Sequence, residues 1–333
     1  MKVAIIGAGG IGKFHSNIYT MIPEAKVIAV ADIRLDQAEK AAEAHHANAY
    51  PSMEALLSNE KPDIVDICTP TYLHAEMAVT CMNLGYHVLC EKPAALRLAD
   101  VQRMAETAKQ QQVFFMVAQV IRFWDEYVVL KQFCEQKPYG NLLQVFFSRI
   151  ACAPRWSWDN WFLDPQRSGL APIDLHIHDA DFIYYLLGKP QAVRSIGLQD
   201  EKEYLTSYIK TQYDYGNGIL AEAEGGWYNA SNPFRASYRA VFERAVLEYN
   251  GATLMVYPAG KEPEQVEIKP AIRASSEINL DIAGPYYNEI RYFVDCILKN
   301  TAPQTVTPES TCGSFEMVLK EIKSWKSGQT ILL

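Results

Sequence analysis

Three short polar clusters punctuate the apolar runs of this chain, and each holds side chains able to move protons or hold charge. They are Cys68-Thr69-Pro70-Thr71-Tyr72-Leu73-His74, Glu91-Lys92-Pro93, and Asp174-Leu175-His176-Ile177-His178-Asp179-Ala180-Asp181. On a helix, Asp174, His178 and Asp181 fall at i, i+4 and i+7, so one face presents a carboxylate, an imidazole and a second carboxylate. An imidazole titrates near neutral pH, which suits such a face to general acid–base chemistry. A structural reading of the same residues is an N-capping Asp174 with satisfied polar side chains in the first turn. His176 and His178 with nearby carboxylates also match zinc or iron ligand types, but imidazoles two residues apart diverge on a helix, and no metal is expected. Lys92 follows the strand-like run Tyr86-His87-Val88-Leu89-Cys90, and Pro93 holds it toward an extended conformation that fixes its side-chain direction. The ordinary fate of a lysine is a solvated ammonium, and that reading stands beside the functional one.

The elements that must position these groups begin at the N-terminus. Val3-Ala4-Ile5-Ile6 runs into Gly7-Ala8-Gly9-Gly10-Ile11-Gly12, and the next apolar run, 27–31, is closed by Asp32. Strand, glycine loop, helix and a carboxylate at this distance predict a dinucleotide site. Gly7 permits the tight turn, Gly9 lets the backbone approach a pyrophosphate, and Gly12 allows close packing of helix on strand. The amides at the helix start, Gly10 and Ile11, then face the phosphates. Asp32 is placed to bond a ribose diol and repel a 2′-phosphate, which favours NAD; Arg34, two residues on, offers a guanidinium to a 2′-phosphate and leaves NADP as the alternative. In an open α/β sheet, ligands lie beyond the carboxyl ends of strands. Thr69, Pro70 and His74 after one strand, and Glu91 and Lys92 after the next, are therefore expected at the cofactor, with a local hydrogen bond at the start of a helix as the other reading of His74.

The 333 residues exceed what one core usually organises, and two domains are expected, 1–120 and 121–333, with terminal helices able to pack back on the first. Strand-like runs at 27–31, 47–50, 64–68, 86–90 and 113–118 join the first strand. They alternate with helical stretches near 11–21, 35–46, 73–84 and 97–111, the pattern of a doubly wound parallel Rossmann sheet. Beyond residue 120, a helical stretch at 123–136 is followed by strands near 142–151, 191–199, 204–214, 218–227, 235–242 and 245–256. These predict a second α/β domain on an open, largely antiparallel sheet, closed by helices at 286–299 and 307–325. A net charge of −8 without a basic cluster argues against a nucleic-acid partner, and no run is long enough for a membrane span. Seven scattered cysteines without C-x-x-C spacing read as reduced thiols, and a cytoplasmic location is expected.

Taken together, the Gly7–Gly12 loop, the Thr69-Pro70 turn with His74, the Glu91-Lys92-Pro93 tripeptide and Asp174 with His178 resemble the glucose-fructose oxidoreductase and inositol dehydrogenase family, Gfo/Idh/MocA. The resemblance covers essentially the whole chain. It implies pyridine-nucleotide oxidoreduction of a sugar, inositol or related polyol, and a homodimer or homotetramer built through the C-terminal sheet. Lys92 matches the family's catalytic lysine, and Asp174 and His178 its substrate-orienting acid and proton-transfer histidine. Which of Lys92 and His178 accepts the proton first stays open.

His176 stands where many members carry glycine, so a narrowed or polarised pocket is expected there. Arg122-Phe123-Trp124 and the Trp156, Trp158 and Trp161 segment offer aromatic faces and polar tips for a sugar ring, with core or subunit interface as the alternative use of such tryptophans. Trp227 carries the same ambiguity. Three other activities remain distinct from net dehydrogenation: transient oxidation by an enzyme that retains its NAD, a non-catalytic NAD or sugar sensor, and metal-dependent hydrolysis through His176 and His178.

Overall fold

A computed structural model describes residues 1–268 and 284–333. Of these, 1–123 with 284–312 form one compact unit, and 124–268 with 313–333 form the other.

The first unit alternates strand and helix: β1 (Lys2–Ile6), α1 (Gly10–Tyr19), β2 (Lys26–Ala31), α2 (Leu35–Glu43), β3 (Asn48–Tyr50), α3 (Met53–Asn59), β4 (Ile64–Ile67), α4 (Thr71–Asn83), β5 (His87–Glu91), α5 (Leu98–Gln111) and β6 (Phe115–Ala118). The strands make one sheet in the order β3-β2-β1-β4-β5-β6, parallel at every pairing. This is the expected Rossmann order, with its reversal between β1 and β4. Its central strands read as continuous apolar runs because helices cover both faces. Asp66 is the one acid within β4, and it is fully buried. A further helix, Gly284–Leu298, packs Ile290, Phe293 and Val294 into the core formed by Val3, Ile5, Phe14 and Ile18. The short α3 escaped the sequence reading, although Ser52 caps it by accepting from Ala55 N at 3.1 Å.

The second unit contains α6 (Asp125–Gln136), β7 (Leu142–Cys152), α7 (Pro165–Ser168), α8 (Leu170–Asp174), α9 (Ile177–Leu187), β8 (Ala192–Gln199), β9 (Ser207–Asp214), β10 (Leu220–Tyr228), β11 (Arg235–Phe242), β12 (Ala245–Tyr249), β13 (Leu254–Pro258) and β14 (Glu264–Gln265). Gly284–Leu298 is α10, Pro308–Ser327 is α11, and Ile331–Leu332 is β15. The sheet runs β14-β13-β12-β11-β7-β10-β9-β8-β15, and β7 with β10 is its parallel pair. The described second sheet is thus mixed but mostly antiparallel, as expected for its class.

The expected single strand at 245–256 is two strands. Asn250 Oδ1 accepts from Ala252 N and Thr253 N, both at 2.9 Å, and Gly251 takes φ +94, so β12 folds back on β13 as a hairpin. The third polar cluster is also not one helix. His176 N reaches back to Ala171 O at 2.8 Å, five residues away, and the chain leaves α8 before entering α9.

Candidate active site

In the first unit the glycine loop is as tight as its sequence requires. Gly7 sits at φ +97, where an added Cβ would meet Cys68 O, and a Cβ on Gly12 would lie 1.8 Å from Gly7 O. A Cβ on Gly9 would meet nothing within 4 Å, so the loop presents open backbone there. Gly9 caps α1 without a side chain, and the first turn carries no acid, leaving its amides and positive dipole to an anion. Asp32 Oδ2 accepts from Ala8 N at 2.8 Å, while its Oδ1 accepts from Arg34 N at 2.8 Å and Arg34 Nε at 3.3 Å. The carboxylate is thus held beside the glycine loop rather than turned away, and Arg34 folds onto it. The open Gly9 backbone, the acid-free helix start and this carboxylate fit a dinucleotide.

His74, expected at the cofactor, is turned inward. It is 1% exposed, with Nδ1 2.8 Å from Pro93 O and Nε2 2.7 Å from Thr69 O. Each nitrogen faces a carbonyl oxygen, and a neutral ring donates its one N–H to one of the two, so the ring sits between the loop after β4 and the loop after β5 instead of offering a ligand contact. Burial pulls its pKa below the ordinary histidine value against the two carbonyls.

Glu91 ends β5, and its Oε2 accepts from Lys92 N at 3.0 Å. Its Oε1 lies 3.2 Å from His15 Nε2, and His15 Nδ1 lies 3.0 Å from Asp66 Oδ2. Burial opposes charge on His15, but the Asp66 carboxylate beside Nδ1 outweighs it and holds the pKa well above the usual value. Burial likewise opposes charge on Glu91, yet the nearby His15 imidazole leaves its carboxyl lowered. His15, Asp66 and Cys68 bring three donor atoms within 4.8 Å of one another. His15 has a carboxylate facing each ring nitrogen, and burial pushes the Cys68 thiol up. Sequence reading missed this cluster. The available signal was Asp66 alone in an apolar strand, since a buried charge demands a partner.

Glu289 of α10 is fully buried, and neither carboxylate oxygen has a hydrogen-bond partner among the described residues. Burial, then the Glu91 charge, pushes its pKa well above the carboxylate range. Its folded pKa exceeds the unfolded one, so the stability it contributes is complete below about pH 4.5 and is lost as pH rises toward the folded value, at up to about 1.4 kcal/mol per pH unit. Glu289→Gln removes this titration. Thermal unfolding across pH 5–9 should show the parent losing ground to the variant as pH rises; a constant gap between them would refute the assignment.

In the second unit, Asp174 ends α8 and is buried, while His178 in the first turn of α9 is half-buried. Asp181, expected on their face, is buried instead and accepts from Ser314 Oγ at 2.7 Å. His176 does not narrow a pocket. It is fully buried, with Nε2 2.7 Å from Glu321 Oε2, and Gly225 admits it because a Cβ there would lie 2.7 Å from His176 Cβ. Asp179, next to His178, makes a buried bidentate pair with Arg149, Nε to Oδ2 at 2.8 Å and Nη2 to Oδ1 at 3.0 Å, which ties α9 to β7.

Arg122, also expected at substrate, is 3% exposed in the first unit and donates through Nη1 to Thr305 O at 2.7 Å and Ser310 Oγ at 3.1 Å. Trp158 and Trp161 lie on a 3₁₀ segment, Trp158–Leu163, where Trp161 stacks on Phe162 at 4.0 Å between centroids. Trp158 is exposed and Trp161 half-buried. Trp227 is core, packed with Ala153, Leu170 and Leu205.

Residues 1–119 match the family model described as "Oxidoreductase family, NAD-binding Rossmann fold", and residues 127–248 match the "GFO/IDH/MocA C-terminal domain". The chain belongs to the Gfo/Idh/MocA family. Its N-terminal domain is that family's NAD-binding Rossmann domain. Among related proteins, D-glucoside 3-dehydrogenase of Escherichia coli K12 is 32% identical over 59% of this chain and 56% of its own length. Myo-inositol 2-dehydrogenase of Thermotoga maritima is 32% identical over 57% of the chain and 55% of its own length. The matched stretch thus spans little more than half of these relatives. The solved structure of levoglucosan dehydrogenase with NADH and levoglucosan has the same fold, with a TM-score of 0.87 at 19% identity, covering 100% of this chain and 99% of that one.

Proposed function

We propose that this protein is an NAD-dependent dehydrogenase that oxidises a secondary alcohol of a sugar, inositol or related polyol to a ketone, or runs the reverse reduction. The observation that carries the reading is a lysine at the carboxyl end of β5 in an NAD-binding domain, its amide fixed by the glutamate before it. The dehydrogenases of glucosides and inositol among its relatives support the substrate class.

NAD, when bound, supplies the hydride acceptor. Gly7, Gly9, Gly10, Ile11 and Gly12 would hold its pyrophosphate, Asp32 its ribose, and Thr69 and Pro70 would line its path over the sheet. For hydride to leave a carbinol carbon, the hydroxyl proton must also leave, which requires a base within hydrogen-bond reach. His178 is the proposed acid–base group, its imidazole taking that proton. Lys92 Nζ is the proposed donor to the carbinol oxygen, stabilising developing alkoxide charge. Asp174 is the proposed orienting carboxylate, and Trp158 and Trp161 are proposed to stack on the ring.

A homodimer or homotetramer through the second sheet is part of the proposal, supported by exposed Ile196, Leu198 and Leu220 on its strands. Four buried thiols among seven free cysteines support a cytoplasmic location.

The test is reduced-nicotinamide absorbance with NAD across inositols, aldoses, sugar acids and glycosides. A rise with one compound and its ketone product is expected; silence across the panel with measurable NAD binding would favour cofactor retention or sensing. Asp32→Ala should improve NADP use relative to NAD by about tenfold, since it removes the repelling charge and releases Arg34. An unchanged preference would mean that Asp32 does not set it.

A further inference from the structure

Asp66, His15 and Glu91 form a line of three buried ionisable groups that ends on the Lys92 amide. Their side chains are 0%, 0% and 9% exposed. Enclosing three such groups is costly, and apolar residues of similar volume would serve the core as well or better. The arrangement therefore calls for something that apolar packing does not provide, and its geometry supplies it. Glu91 has both oxygens engaged, Oε1 in an ion-pair contact with His15 Nε2 at 3.2 Å and Oε2 in a hydrogen bond from Lys92 N at 3.0 Å. A carboxylate held at one oxygen only can rotate about its last bond; held at both, it fixes the backbone from which the Lys92 side chain departs.

We infer that His15, backed by Asp66, is a positioning residue for Lys92, acting through Glu91. The inference rests on the reading in which Lys92 bonds the substrate oxygen. Every element packed around the ring contributes to its setting: Asp66 from β4, Cys68 just after it, Glu91 from β5, Tyr19 from α1 itself, and Glu289 and the Tyr286 ring from α10. Asp66 anchors Nδ1, so Nε2 is aimed at Glu91 rather than free to turn.

The two ring nitrogens can be separated by substitution. In His15→Asn the amide NH₂ stands near the Nδ1 position, keeping the Asp66 contact and losing Glu91; in His15→Gln it reaches the Nε2 position and keeps Glu91. His15→Asn is expected to lower kcat by about tenfold, because small displacements of a catalytic group are costly, with sugar KM and NAD affinity within about twofold. His15→Gln should restore most of kcat. Hydrogen exchange at the Lys92 amide supplies a readout independent of turnover: it should quicken by about tenfold in the Asn variant and return toward the parent rate in the Gln variant.

Parent-like kcat and Lys92 exchange in His15→Asn would overturn the inference. So would equal losses in both variants accompanied by equal drops in melting temperature, which is the signature of a merely structural role. If the unmodified protein oxidises no sugar with NAD, the proposed function fails, and Lys92 exchange alone then decides the positioning role.

Discussion

Arg149→Met is expected to cost the folded protein about 3–5 kcal/mol, because it leaves the Asp179 carboxylate buried without its cation. The pair is bidentate, with side chains 3% and 0% exposed, and once the guanidinium is gone Asp179 keeps a 3.5 Å contact from Tyr127 OH. Denaturant midpoints measure the loss. The double variant Arg149→Met/Asp179→Leu should recover most of it, since removing both charges ends the desolvation penalty. A single-variant loss below about 1 kcal/mol would place the pair in the class of solvated ion pairs and contradict its burial. The same variants bear on function, because Asp179 fixes the turn of α9 that carries His178.

Lys92→Ala is expected to lower turnover by about 10²–10³-fold, the usual cost of removing a donor aimed at developing oxyanion charge. NAD affinity should stay near that of the parent, because the phosphate and ribose contacts belong to the glycine loop and Asp32. Lys92→Arg should rescue little, since a planar guanidinium places its donors differently from a compact ammonium. Turnover and cofactor affinity must be measured separately: loss of NAD binding with chemistry intact would reverse the role assigned to Lys92.

The sequence carried the Rossmann sheet because strands buried on both faces are written as unbroken apolar runs, and it carried the phosphate loop because Gly7 and Gly12 admit no other residue without a clash. Where the reading failed, the deciding contacts lay from five to 145 residues along the chain. His176 is inward because Glu321, 145 residues away, accepts its ring nitrogen, and His74 because Pro93 and Thr69 present carbonyls to both sides of its ring. The switch from α8 to α9 turns on one reach-back from His176 N to Ala171 O, which spacing cannot register. The β12–β13 hairpin was written locally, as Asn250-Gly251 within an apolar run, and was overlooked because the flanking residues continue the alternation. His15, Asp66 and Glu91 lie up to 76 positions apart in sequence, and only the parallel order β1-β4-β5 brings them together.

The most direct test of hydride transfer between a sugar carbon and NAD uses an inositol or glucoside deuterated at its ring carbons. The purified protein is incubated with it and NAD, and the nicotinamide is read by mass. The account predicts one deuterium on the cofactor for each ketone formed, and both products formed about 10²–10³-fold more slowly with Lys92→Ala. Ketone without label on the nicotinamide, or labelling at the parent rate in the Lys92→Ala variant, would contradict it.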